Sequence, residues 1–183
     1  MLFLNYGGVL NVGHGLVVDN GAVTLDTGRP SFEFAPYLID VLEPWPQVRI
    51  IVTTSWLRTL GAERTIALVP VELRRRVVGT TLNTPPRLGE IRNGSAKAMT
   101  VIRHASKNRL IKWLALDDEA WGVPIEYESY FLRTDSKTAG LAGSTQTAKA
   151  VARNLVQAMT ADKSFGAAIG HWSLWSNARC RSP

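Results

Sequence analysis

The residues that could do chemistry in this chain stand where three apolar runs stop. Leu2-Phe3-Leu4 gives way to Asn5-Tyr6-Gly7-Gly8, Ile50-Ile51-Val52 to Thr53-Thr54-Ser55, and Trp113-Leu114-Ala115-Leu116 to Asp117-Asp118. An apolar run without alternation is the pattern of a strand buried on both faces in a parallel sheet. The carboxyl ends of such strands are where open α/β sheets bind ligands. Gly7-Gly8 adds backbone that a ligand can approach closely. The groups gathered there are an amide, hydroxyls, backbone and a carboxylate pair. Other chemistries are excluded. No serine sits in a Gly-x-Ser-x-Gly elbow, and the glycines around Gly13-His14-Gly15 match neither a Gly-x-Gly-x-x-Gly nor a Walker pattern. His14, His104 and His171 show no ligand spacing, and one cysteine, Cys180, makes neither an internal disulfide nor a cysteine-based metal site.

Positioning these groups takes alternating strands and helices. Strands are expected at Leu2–Leu4, Arg49–Trp56, Val77–Thr80, Ile111–Leu116 and near Tyr130–Leu132. Between them, helices are expected over 35–43, with Tyr37, Leu38, Val41 and Leu42 on one face, over 57–68, briefly from Val71, over 96–106 and over 145–159. Asp19-Asn20-Gly21, between Leu16-Val17-Val18 and Ala22–Leu25, signals a hairpin, read as a small β-flap beside the first strand. Asn83 to Ser95, with Pro85-Pro86, reads as mostly irregular. The alternation implies parallel βαβ units with helices on both faces of the sheet.

Length and composition bound the reading. The chain has 183 residues, 45% hydrophobic and 20% charged, which fits one globular domain. We place that domain at 1–160 and a tail, carrying Trp172 and Trp175, at 161–183. No apolar run reaches the ~20 residues of a membrane span, so a cytoplasmic protein without membrane contact is expected. A net charge of +6 favours an anionic partner. Arg74-Arg75-Arg76, the densest basic run, reads as a solvated face because no aromatic residues interleave with it.

The stretch Leu4-Asn5-Tyr6-Gly7-Gly8-Val9 resembles the first motif of the haloacid-dehalogenase (HAD) superfamily, Asp-x-Asp-Gly-Val, except at the two positions that do the chemistry. Asn5 stands in place of the nucleophilic aspartate and Gly7 in place of the acid/base aspartate. The strand ending in Thr-Ser-Trp and the run Trp-Leu-Ala-Leu-Asp-Asp are similar to the compact HAD domains associated with RNA-repair proteins. The resemblance covers roughly residues 2–135. It implies a Rossmann-like α/β fold with a small flap and no large cap, so the site should be open to large partners. It further implies that Thr54, flanked by Thr53 and Ser55, bonds a phosphate oxygen, and that Lys97 neutralises the phosphoryl group, with Lys107 and Arg92 as substitutes. Asp117 and Asp118 would hold Mg²⁺, a hard cation that takes oxygen ligands. One of the pair could instead cap the helix that follows.

In an active member the first aspartate attacks phosphorus. An amide at Asn5 is uncharged and a poor nucleophile, and Gly7 leaves no group to protonate a leaving oxygen, a contribution worth ~10²–10⁴ in rate. The resemblance so corrected implies a phosphate-binding domain, a pseudo-phosphatase with a binding or regulatory role. Gly7-Gly8, Thr53, Thr54 and Lys97 would form its anion cradle, and Asp117 and Asp118 alone would hold Mg²⁺ weakly. Two rivals remain open: an active metal-dependent hydrolase using Asp117, Asp118 and His14 or Asp19 to activate water, and a module that binds a nucleic-acid end.

Overall fold

The computed structural model describes residues 1–18, 21–119 and 121–134. Five parallel strands form one sheet: β1 (Leu2–Leu4), β4 (Ile50–Val52), β5 (Val77–Thr80), β6 (Leu114–Asp117) and β7 (Phe131–Arg133), in the order β5-β4-β1-β6-β7. β1 is central and fully buried because both of its neighbours run alongside it, Leu2 to Leu4 pairing with Ile50 to Val52 on one side and with Leu114 to Leu116 on the other. The chain builds outward from β1 through β4 to β5, then returns across β1 to β6. That reversal opens a crevice between the carboxyl ends of β1 and β6, the usual ligand position in such sheets.

Alternation along β1 divides the core. Leu2 and Leu4 join Ile50, Val52, Leu114 and Leu116 on one face, covered by Leu38 and Leu42 of α1 (Ala35–Leu42), Trp56 and Leu57 of α2 (Trp56–Leu60) and Leu73 of α4 (Val71–Arg74). Phe3 turns to the other face with Ile51 and Ala115, under Val101, Ile102 and Ala105 of α6 (Ala96–Lys107). Helices therefore cover both faces, as the strand–helix alternation implies. β2 (Gly15–Val17) and β3 (Val23–Leu25) pair antiparallel as the flap.

Several elements differ from expectation for local reasons. The second strand ends at Val52, and Trp56 starts a helix instead, its ring packed edge-on to Tyr6 and Phe32. The helix expected over 57–68 is broken into α2 and α3 (Ala62–Ala67) at Gly61, whose φ of 76° is left-handed. Tyr37 is exposed, while Leu38 and Leu42 carry the buried face of α1. α5 (Leu88–Arg92) forms inside the stretch read as irregular, where Glu90 accepts the Arg87 backbone N–H and pairs with Arg103 of α6. The fourth strand starts at Leu114 rather than Ile111, and a 3₁₀ turn (Ile125–Tyr130) precedes β7.

The arginine run is not simply a solvated face. Arg76 donates to the carbonyls of Leu42 and Trp45 at 3.0 and 2.7 Å, tying down the carboxyl end of α1, and Arg74 donates to Ala67 O at 3.0 Å. Among the described residues no helix is long and apolar enough to cross a membrane. Asp19 and Asn20 of the hairpin signal, the helix expected over 145–159 and the tail, with Trp172, Trp175, His171 and Cys180, lie outside the described residues.

Candidate functional site

Asn5 leaves β1 directly into the crevice and is almost wholly buried. Its Oδ1 accepts the Tyr6 backbone N–H at 2.8 Å, which orients the amide. Nδ2 then faces the carboxyl end of β6, donating to Asp117 Oδ1 at 2.9 Å and Asp118 Oδ1 at 3.1 Å, and to Gly7 O at 3.1 Å. The amide thus bridges two carboxylates, and neither of its polar atoms is left over for an incoming phosphorus.

Lys97, in the first turn of α6, meets the same pair from above. Its Nζ lies 3.6 Å from Asp117 Oδ1, 3.6 Å from Asp118 Oδ1 and 3.0 Å from Glu119 Oε2. Burial pulls the ammonium down, but Asp117, Asp118 and Glu119 outweigh it and hold Lys97 above its ordinary value. Burial dominates at Asp117 and, with Asp118 beside it, pushes its carboxyl up to about 7 against the pull of Lys97. Two N–H donors from one amide and one ammonium thus serve three carboxylates.

The turn after β1 is built by glycine for two different reasons. Gly8 has φ 67°, and a Cβ there would fall 2.3 Å from the Asp118 side chain. It is required so that Asp118 can lie against the turn. Its N–H is spent on Asn11 O at 2.8 Å and its carbonyl accepts the Thr134 hydroxyl at 2.6 Å, so Gly8 offers no donor to an anion. In the turn from Tyr6 to Asn11 the Gly7 N–H is the one without a partner among the described residues. Gly7 itself is not under steric compulsion, since a Cβ would meet Gly13 O at an ordinary 3.7 Å.

Thr54 is buried beside the site, its Oγ1 accepting only a long 3.5 Å bond from Trp56 N, whereas Thr53 Oγ1 is engaged by the Thr81 hydroxyl at 3.2 Å. Ser55 is exposed at the start of α2. The structure thus brings Asn5, Gly7, Lys97, Asp117 and Asp118 together, with Thr54 on the flank. Lys107 ends α6, a full helix away from Lys97, and Arg92 lies on α5. His14 is 90% exposed on the flap, its Nδ1 3.0 Å from Asp26 Oδ2, and none of its contacts is with the carboxylate cluster. Two participants escaped sequence reasoning. Glu119 follows the carboxylate pair and was readable as a third acid; Thr134 is the first polar residue beyond β7 and had no signal of its own.

A family model described as the HAD domain in Swiss Army Knife RNA repair proteins matches residues 1–143, taking in every strand of the sheet and every group of the cluster. The chain belongs to this family. No curated protein and no solved structure matches it. HAD phosphatases hold Mg²⁺ at this sheet edge, and the donor set of this HAD domain does not fit that ion. Asn5 turns N–H groups, not its oxygen, toward Asp117 and Asp118, so the residue that would give the ion a further oxygen presents donors instead. Among the described residues no group of three or more His, Cys, Asp or Glu side chains could hold a metal ion.

Proposed function

We propose that this HAD domain is a catalytically impaired relative of the phosphatases that binds the phosphate of a nucleic-acid end and works without a metal. The observation that carries the reading is the Asn5 amide, whose N–H groups hold Asp117 and Asp118 where a phosphatase needs an anionic nucleophile. A neutral amide with its oxygen already hydrogen-bonded is not a nucleophile toward phosphorus. Gly7 supplies no general acid.

What remains is suited to binding. The Gly7 N–H has no partner among the described residues, the Thr54 hydroxyl and the Lys97 ammonium line one cleft, and among the described residues no cap excludes a large ligand. The family's setting in RNA repair and the positive net charge make a phosphate-bearing RNA end the ligand class we favour, in a cytoplasmic protein. A second reading, an unconventional hydrolase, draws support from Asp117, whose carboxyl near 7 is in the range of a general base.

The test is turnover by the wild type and by the doubly restored Asn5→Asp, Gly7→Asp variant, on an aryl phosphate and on phosphate-terminated RNA, with Mg²⁺. The wild type should be inactive and the variant should gain activity, since the space at Gly7 accepts a side chain. Wild-type turnover that disappears in Asp117→Asn would overturn the binding reading in favour of the hydrolase.

A further inference from the structure

Beside the carboxylate cluster a cleft of about 340 Å³ opens at the carboxyl ends of β4 and β5, walled by the turns after those strands and the first turns of α6. Lys97 lines it and also pairs with the cluster, so the two adjoin. Its volume lies at the small end of ligand pockets (~300–1,000 Å³), a size for one sugar unit and not for a stretch of chain.

The lining is unusual in chemistry. Hydroxyls come from Thr53, Thr54, Ser55, Thr81, Thr84 and Thr100, the charged side chains are Arg58 and Lys97, and no carboxylate reaches it. Some of these hydroxyls are committed to the walls: Thr81 donates to Thr53, and Thr84 Oγ1 lies 3.1 Å from His104 Nδ1. Thr100 is different. It is 9% exposed, faces the cleft from α6, and its hydroxyl has no hydrogen-bond partner among the described residues. That hydroxyl is reached by solvent in the cleft, so it can exchange water for a ligand hydroxyl. Pro85 and Pro86, with fixed backbone, and Leu57 give the cleft a rigid apolar side for the sugar's carbon face.

Charge sets the direction in which a polyanion leaves the site. Asp117, Asp118 and Glu119 crowd the β6 side of Lys97. Among the described residues the β4–β5 side, with Arg58 and no acid in its lining, suits the chain that follows a bound phosphate.

We propose that this cleft seats the terminal ribose of a phosphate-ended RNA and reads its 2′-hydroxyl through Thr100, with Arg58 facing the next phosphate. The proposal rests on the end-binding reading above and adds a preference for RNA over DNA. A hydroxyl in a polar cleft is the feature by which a protein distinguishes the two.

The experiment measures affinity of the full chain for short oligonucleotides in four forms: phosphate- or hydroxyl-terminated, each with a ribo or 2′-deoxy terminal sugar. The wild type should favour the phosphate end, and among phosphate ends should favour ribose by roughly three- to ten-fold, the worth of one hydrogen bond. Thr100→Val keeps the shape of the side chain and should abolish the ribose preference while leaving the affinity for the deoxy end unchanged. Arg58→Gln should weaken binding of oligonucleotides but not of a mononucleotide, and should lower the salt slope by about one phosphate contact. A ribose preference that survives in Thr100→Val, or a wild type that favours phosphate ends without regard to the sugar, overturns the cleft assignment alone. A wild type indifferent to the terminal phosphate overturns the end-binding reading and the cleft assignment with it.

Discussion

Replacing Asn5 by aspartate tests the central claim, that one amide holds the carboxylate cluster together without a metal. The substitution converts two donated hydrogen bonds, 2.9 Å to Asp117 and 3.1 Å to Asp118, into contacts between like charges. At an effective dielectric of about 20, two unit charges 3 Å apart repel by roughly 5–6 kcal/mol, so the trio would take up a proton before it paid that in full. The loss of two charge-assisted hydrogen bonds, with one uncompensated buried charge, sets the cost at about 3–5 kcal/mol near pH 7.5. For a domain of this size that lowers Tm by roughly 10 °C or more. Thermal unfolding of wild type and Asn5→Asp should be followed in chelator and in millimolar Mg²⁺, at pH 7.5 and pH 5.5. In chelator the variant should be much the less stable at pH 7.5 and recover part of the difference at pH 5.5, where a protonated carboxyl again donates a hydrogen bond. Mg²⁺ should raise the variant's Tm, because a third carboxylate completes an oxygen site, and should leave the wild type unchanged. A variant as stable as wild type in chelator at pH 7.5, or a wild type stabilised by Mg²⁺ as much as the variant, would mean that the Asn5 amide does not hold the cluster.

Two further predictions concern the same cluster. Asp117 binds its proton up to about pH 7 when folded, whereas its ordinary value is 3.8; the folded state therefore holds the extra proton between those limits. Its contribution to stability is full below about pH 4 and is lost as pH rises through 7, so unfolding free energies from denaturant titrations should fall over that window, and Asp117→Asn should flatten the fall. Gly8→Ala forces a Cβ into left-handed backbone and to 2.3 Å from the Asp118 side chain. It should cost about 2–4 kcal/mol in the same titrations, whereas Gly7→Ala, with its nearest atom at 3.7 Å, should cost less than 1 kcal/mol; equal costs at the two positions would contradict the turn as described.

Much of this protein is written locally. Unbroken apolar runs such as Leu2–Leu4 and Leu114–Leu116 can be satisfied only by burial on both faces, and their alternation with helical periods leaves a parallel sheet as the consistent arrangement. Asn5, Gly7, Lys97 and Asp117-Asp118 could be singled out because strand ends in such a sheet share one edge. Punctuation was less legible: Gly61 breaking a helix and Trp56 starting one depend on what each packs against, and short helices have no periodicity long enough to read. Which donor serves which acceptor was decided by tertiary structure alone. Gly8 reads as a phosphate-binding glycine in one dimension, yet its N–H closes on Asn11 and its missing side chain makes room for Asp118, 110 positions away. Arg76 reads as a surface charge and instead caps α1. Asn5 reads as a lost aspartate, and only the approach of β6 to β1 turns that loss into a bridge between two carboxylates, because hydrogen bonds between distant segments depend on a register and a packing that no local pattern encodes.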